Sequence, residues 1–301
     1  MDKALIILAP GGLGNQLFAV AASLHLGEAL GVKIIVFSEN NELVEKFREV
    51  QAELQYPVTI SMTLSSRRNL LINRISSKAH KLILKFPFAT NSIKTKFRTI
   101  NNPWEFPFDL LSQVGKSPWV LRGFFQDIKL INSLSSSNRT FLLKMLDADS
   151  VRDFSSLGGY QDSIGVHVRR GDYASISDYG ILKRSYFQEI IQGVRKDHSK
   201  VIIASDDAEI LPGFKSMGNE ELLFPNMYSP LQSIIELAKT QTFVMSNSTF
   251  SFWIAWAVFL GGGTVYTPEP WFRRSEVPTN ILSLDGFIKK TSKFEVEVNE
   301  K

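Results

Sequence analysis

The chain contains no cysteine and only four histidines, His25, His80, His167 and His198, among its 301 residues. The first absence excludes disulfide scaffolds, cysteine-ligated zinc, iron–sulfur clusters and a thiol nucleophile together, and it fits a reducing compartment. The second disfavours a histidine-based metal centre, because no two histidines stand at zinc-ligand spacing. Long apolar runs are also missing. The longest, Phe252–Leu260, has nine residues, against about 20 for a membrane-spanning helix. The apolar start Ala4–Ala9 runs into Pro10-Gly11-Gly12 and is too short for the core of a secretory signal. The expectation is a cytoplasmic protein, with peripheral residence on the inner face of the plasma membrane left open. The G-x-x-x-x-G-K-[ST] loop of P-loop enzymes and the G-x-S-x-G elbow are absent too.

Negative charge is missing locally. No acidic residue lies between Leu54 and Trp104, a window that holds nine Lys or Arg. The net charge of +4, from 34 basic and 30 acidic residues, therefore divides into a +9 segment and a −5 remainder (25 against 30). Within that segment residues 67–86 read as an amphipathic helix. Its apolar stripe (Leu71, Ile75, Ala79, Leu82, Phe86) adjoins a basic one (Arg74, Lys78, Lys81, Lys85). Such a helix suits either packing on the protein or the surface of an anionic membrane. Nucleic acid is disfavoured as a partner, because Phe86, Phe88 and Phe97 do not interleave regularly with the cations.

What is present alternates between strand and helix patterns. Ala4–Leu8 is a continuous apolar run suited to a strand covered on both faces. The helical pattern of Leu17–Leu30 and the strand Lys33–Phe37 complete a β-α-β unit, which pairs its strands in parallel. A second alternating series runs from Ser163 to Tyr266: strands 163–168, 201–204, 242–245 and 264–266, with helices 184–197, 229–240 and 250–260. The chain thus reads as α/β with an N-terminal Rossmann-like domain over 1–155, a C-terminal one over 156–285, and a tail, 286–301, without a legible pattern.

Four stretches carry chemistry. In Gly165-Val166-His167-Val168-Arg169-Arg170-Gly171-Asp172-Tyr173 an apolar strand delivers two arginines to its end, where open α/β sheets bind ligands. The planar guanidinium fork suits phosphate. The alternative is a surface Arg–Asp cluster. Ser246-Asn247-Ser248-Thr249-Phe250 follows an apolar strand and opens an apolar helix, which places hydroxyls and free N–H groups at a helix N-terminus; plain capping would use the same residues. Gly11-Gly12-Leu13-Gly14-Asn15-Gln16 starts like a dinucleotide fingerprint, but Leu17 replaces its third glycine, which disfavours a Rossmann oxidoreductase. Ser205-Asp206-Asp207 follows a strand end, where the acids suit either ribose recognition or capping. The D-x-D stretch Asp147-Ala148-Asp149, a cation-binding pattern, follows a helix pattern and reads as a solvated helix end.

Taken in order, these stretches resemble the bacterial α-1,2-fucosyltransferases, within the superfamily that also holds α-1,6- and protein O-fucosyltransferases. The resemblance extends to Gly123-Phe124-Phe125-Gln126, the Asn-Ser-Thr-Phe-Ser-Phe-Trp stretch at 247–253, and Pro268 with Trp271-Phe272. It implies a GT-B fold of two Rossmann-like domains facing across a cleft. It also implies inverting, metal-independent transfer of L-fucose from GDP-fucose to the 2-hydroxyl of a terminal galactoside, in O-antigen or other surface-glycan synthesis. The acceptor would be a galactose-terminated oligosaccharide or lipid-linked glycan. By this resemblance Arg170 neutralises the diphosphate, with Arg169 and His167 in support; Asp172, beside them in sequence, is a further catalytic candidate. Asn247, Ser248, Thr249 and Phe250 contact phosphate or nucleotide, Asp206 or Asp207 the nucleoside, and Gly14, Asn15 and Gln16 reach the donor from the N-terminal side. The chain departs from the pattern at Ala9-Pro10, Ser233, Leu237-Ala238 and Phe252. Asp172, Asp127 and Glu28 are the candidates for a general base, and spacing singles out none. Rival expectations are transfer to another linkage or to protein, and a non-catalytic glycan-binding protein.

Overall fold

The structure, a computed structural model, describes residues 4–8, 10–56, 60–64, 98–102, 106–108, 119–148, 162–176, 178–196, 200–217, 220–223, 229–274 and 282–295. The basic helix expected over 67–86 and Asp149 lie outside those residues. Contacts divide the chain into two units, Met1–Phe141 and Leu142–Lys301.

The first unit is built on a five-stranded sheet in the order β3(Ile60–Leu64), β2(Lys33–Ser38), β1(Ala4–Leu8), β5(Trp119–Gly123), β4(Arg98–Asn102). Every pairing is parallel. Helix Leu13–Leu30 makes the crossover from β1 to β2 and is apolar nearly all round. Leu17, Phe18, Val20, Leu24 and Leu26 are fully buried, as a helix against a parallel sheet requires. It ends where Gly31 takes the left-handed conformation (φ 60°), which costs a glycine little. Helix Asn41–Glu53 is amphipathic instead. Asn40 caps it by accepting from the Leu43 N–H at 2.9 Å, and Leu43, Val44, Phe47 and Val50 face the core.

The second unit holds six parallel strands in the order β11(Ile288–Thr291), β10(Thr264–Glu269), β9(Thr242–Val244), β6(Ser163–Val168), β7(Lys200–Ser205), β8(Glu220–Leu223). Counted from β6 this is 3-2-1-4-5-6, the doubly wound order. The central strands are buried on both faces: all six residues of β6 are buried, as are the last five of β7. Phe187, Ile191 and Phe214 pack on Val166, Val168 and Ile203, while helix Thr249–Leu260 buries Phe252, Trp253, Ile254 and Trp256.

The expected α/β class and both series of parallel strands are therefore present. Strands β4, β8 and β11 and the short helix Ile128–Ser133 carried no readable pattern. No helix among the described residues is long and apolar enough to cross a membrane.

Candidate active site

In a doubly wound sheet the crevice opens where the strand order reverses, beyond the carboxyl ends of the two flanking strands. In the second unit these are β6 and β9. The arginine stretch follows β6 and the Asn-Ser-Thr stretch follows β9, so two segments about 80 residues apart in sequence meet at one point.

Beyond β6, the Arg170 backbone N–H donates to Asp206 Oδ1 at 2.8 Å, and Arg169 Nη1 pairs with Asp206 Oδ2 at 2.7 Å. Arg169 Nη2 donates to Asp172 Oδ1 at 2.5 Å, and its guanidinium lies 5.4 Å from the centre of the Tyr173 ring. The Arg169 Nε is buried and has no acceptor among the described residues. Arg170 is gripped on two edges. Its Nε donates to Asp207 Oδ2 at 3.0 Å, while Nη1 and Nη2 donate to Glu295 Oε1 and Oε2 at 2.5 and 3.2 Å. These bonds, Glu295 foremost, hold the guanidinium more firmly protonated than usual. Gly171 is required by space: a Cβ there would lie 2.4 Å from Asp206 Oδ2. Asp206 and Asp207 are themselves placed by the end of β7, where Ser205 Oγ donates to Val168 O at 2.9 Å and accepts from the Asp207 N–H at 3.0 Å.

Beyond β9, Ser248 caps helix Thr249–Leu260 by accepting from the Phe250 N–H at 3.2 Å. Its remaining first-turn N–H groups have no intrahelical acceptors. Asn247 is fully buried. Its Nδ2 donates to the Tyr179 and Gly180 carbonyls at 3.0 and 3.1 Å, and its backbone carbonyl accepts from the Tyr173 hydroxyl at 3.0 Å. His167 joins the two segments. Its Nδ1 lies 2.6 Å from Ser251 Oγ and 3.2 Å from Ser246 Oγ, and its ring packs on Phe250 at 4.7 Å. Burial, with the Arg169 charge adding to it, holds the imidazole pKa down to about 3. His167 is therefore neutral and acts as a strut between strand end and helix start.

The first unit has its own switch point between β1 and β5. Gly11 turns the chain at φ 86°, a region that favours glycine, and a Cβ there would lie 2.5 Å from Asn15 Nδ2. Asn15 Oδ1 accepts from Gln126 Nε2 at 3.0 Å, which ties the two loops together. Gln16 is buried; its Nε2 donates to Gly11 O at 2.9 Å and its Oε1 accepts from Ser38 Oγ at 2.5 Å. Gln16 thus shapes the loop, Asn15 stands at its half-buried rim, and Gly14 lies in the first turn of the buried helix.

The structure brings His167, Arg169, Arg170, Asp172, Asp206, Asp207 and Asn247–Phe250 together in one unit. Asn15, Gln16 and Gly14 belong to the other. Of the candidate bases, Asp127 caps helix Ile128–Ser133 by accepting from the Lys129 N–H at 2.8 Å, and Glu28 accepts from Asn138 Nδ2 at 2.7 Å. Asp172 is the one that lies at the arginines. Asp147 occupies a turn at φ 47° just past helix Ser136–Met145, and no cluster of metal-ligating side chains occurs among the described residues. Glu295 is a part of the site that sequence reading missed, while Tyr173, Ser246 and Ser251 fell inside the stretches singled out but carried no assigned role. Glu295 stands 125 residues from Arg170, so no local spacing could reveal it.

Residues 6–277 match glycosyl transferase family 11. The chain belongs to that family. The match spans every expected site residue, while Glu295 lies beyond it. Among family relatives, the chain is 26% identical over 309 residues to the O-antigen biosynthesis glycosyltransferase WbnK of Escherichia coli, covering 92% of this chain and 97% of that protein. It is also 26% identical over 125 residues to an alpha-1,2-colitosyltransferase of Escherichia coli, covering 38% of this chain and 43% of that one. Among solved structures, a mutant of Arabidopsis thaliana FUT1 in complex with GDP aligns with a TM-score of 0.53 at 15% identity, over 92% of this chain and 73% of that one. That likeness is one of fold, of the GT-B class with its two Rossmann-like units. The glycosyltransferase assignment rests on the family.

Proposed function

We propose that this glycosyltransferase moves L-fucose from GDP-fucose to the 2-hydroxyl of a terminal galactoside during O-antigen or related surface-glycan assembly, inverting the anomeric centre and requiring no metal. The observation that carries the reading is the pair Arg169–Arg170 at the switch point of a 3-2-1-4-5-6 sheet, beside the N-terminus of helix Thr249–Leu260. Breaking the bond from the sugar C1 to the phosphate oxygen leaves negative charge on GDP and positive charge on the sugar. Fixed guanidinium groups and N–H dipoles at the departing phosphate lower that barrier. Arg169 presents a buried Nε that has no acceptor among the described residues. Its partner Asp172, whose side chain is 60% exposed, is the carboxylate a phosphate displaces most readily, because water already screens the pair. The acceptor oxygen attacks C1 from the opposite face, GDP leaves, and the hydroxyl proton passes to a weak acceptor, which suffices when the sugar resembles an oxocarbenium ion. Asp172 holds Arg169 in place until the phosphate arrives, and Asp206 or Asp207 is our choice for the nucleoside.

The O-antigen relative supports the glycan context, and the colitosyl relative supports a second reading in which the donor carries a more deoxygenated sugar. GDP release should be measured from GDP-fucose and GDP-colitose, with a panel of galactosides, for wild type and Arg170→Ala. Turnover of GDP-fucose that falls about 100-fold in the variant is expected. Full activity in Arg170→Ala would remove that residue from the mechanism, and preference for GDP-colitose would establish the second reading.

A further inference from the structure

The C-terminal segment, unreadable in sequence, is built into the site. Residues 293–295 lie along 181–183 as an antiparallel bridge. Lys183 N–H donates to Lys293 O at 2.6 Å, Glu295 N–H donates to Ile181 O at 2.8 Å, and Leu182 pairs with Phe294. Phe294 packs on the core and covers Gly180 (φ 72°), where a Cβ would lie 2.8 Å from its ring. The Tyr179 and Gly180 carbonyls in turn hold Asn247. The segment is therefore anchored on the same loop that supports the Asn-Ser-Thr stretch, and it delivers one side chain, Glu295, to Arg170.

We infer that Glu295 is a positioning residue of the donor site: it fixes the Arg170 guanidinium, and through it Asp207, in the arrangement that receives the nucleoside diphosphate. The geometry supplies the reason. One carboxylate on one edge of a guanidinium leaves the plane free to swing about that contact. Asp207 on Nε and Glu295 on both terminal nitrogens hold two edges and so fix the plane. A long side chain immobilised before the ligand arrives does not lose its rotamer freedom on binding. Among the described residues the Glu295 carboxylate hydrogen-bonds to Arg170, and it acts through that guanidinium. The inference rests on the reading of residues 169–172 as the phosphate end of the site.

GDP binding to the full chain, measured by calorimetry, separates the two. Wild type should bind GDP. Glu295→Ala should bind about tenfold more weakly, and Glu295→Gln, which keeps one accepting oxygen, should fall between. Lys293→Ala removes only the exposed ion pair with Glu189 on the same segment and should bind like wild type. Because Glu295 acts through Arg170, the Arg170→Ala/Glu295→Ala double variant should bind no more weakly than Arg170→Ala alone. A Glu295→Ala protein that binds GDP as tightly as wild type overturns the inference, and tighter binding would make Glu295 a competitor of phosphate. Fully additive losses in the double variant, or an equal loss in Lys293→Ala, overturn it as well. Wild type that binds no GDP overturns both this inference and the reading beneath it.

Discussion

Arg169 and Arg170 are adjacent and chemically identical, yet their surroundings differ. Arg170 is saturated along two edges by Asp207 and Glu295, whereas the buried Nε of Arg169 has no acceptor among the described residues. Arg169→Lys should therefore lower kcat/KM by about 10- to 100-fold, since a point charge cannot satisfy Asp206, Asp172 and a phosphate at the same time; steady-state kinetics would show it. His167 makes a different prediction. Its folded pKa of about 3 lies below the ordinary imidazole value of 6.5, so between these limits the unfolded chain binds the extra proton. The stability that neutral His167 contributes is complete above about pH 6.5 and is lost as pH falls toward 3. Urea unfolding at pH 7.5 and 5.5 should show wild type losing about 1 kcal/mol more than His167→Gln over that interval. The residue types at these positions were readable, because a strand followed by two arginines and a glycine is a local pattern. Their partners were not, because Asp206 and Glu295 reach them across 36 and 125 residues.

At the scale of elements, the site depends on the close fit of two strand-end turns. Gly171 sits so near Asp206 that a methyl group would overlap its carboxylate at 2.4 Å. Asp206 is short and is held by Arg169 and by the Arg170 N–H, so it cannot move without releasing both. Gly171→Ala should lower the melting temperature by a few degrees and kcat/KM by about tenfold, and parallel calorimetry and kinetics would test both. Helices with a clear apolar face and strands with continuous apolar runs were legible at this scale, within a few residues at their ends. Helix Thr249–Leu260 was read from its apolar run and its Ser-Thr start, and the structure places it at 249–260. Strands β4 and β11 escaped because Arg-Thr-Ile-Asn-Asn and Ile-Lys-Lys-Thr are edge strands. One side of an edge strand faces no neighbour, so burial imposes no apolar pattern on it.

At the scale of the molecule, the chemistry should depend on arginine charge. Transfer should continue at the wild-type rate after exhaustive dialysis against EDTA, with GDP release as the readout. A strict requirement for a divalent ion would redirect attention to Asp147 and its neighbours. Composition alone determined much here. Without cysteine, and with four histidines at no zinc-ligand spacing, a metal centre held by those residues is disfavoured. Alternating strand and helix patterns determined an α/β chain with parallel sheets, because a strand covered on both faces must be apolar throughout and consecutive β-α-β units wind in one sense. Only the tertiary structure decided which strands adjoin. That order sets β6 beside β9 and so brings the arginines to the helix start. It also decided that a carboxylate from the C-terminal segment closes on Arg170. The physical reason is that periodicity records which face of an element is buried, whereas pairing between distant side chains is set by the path of the whole chain and leaves no periodic trace.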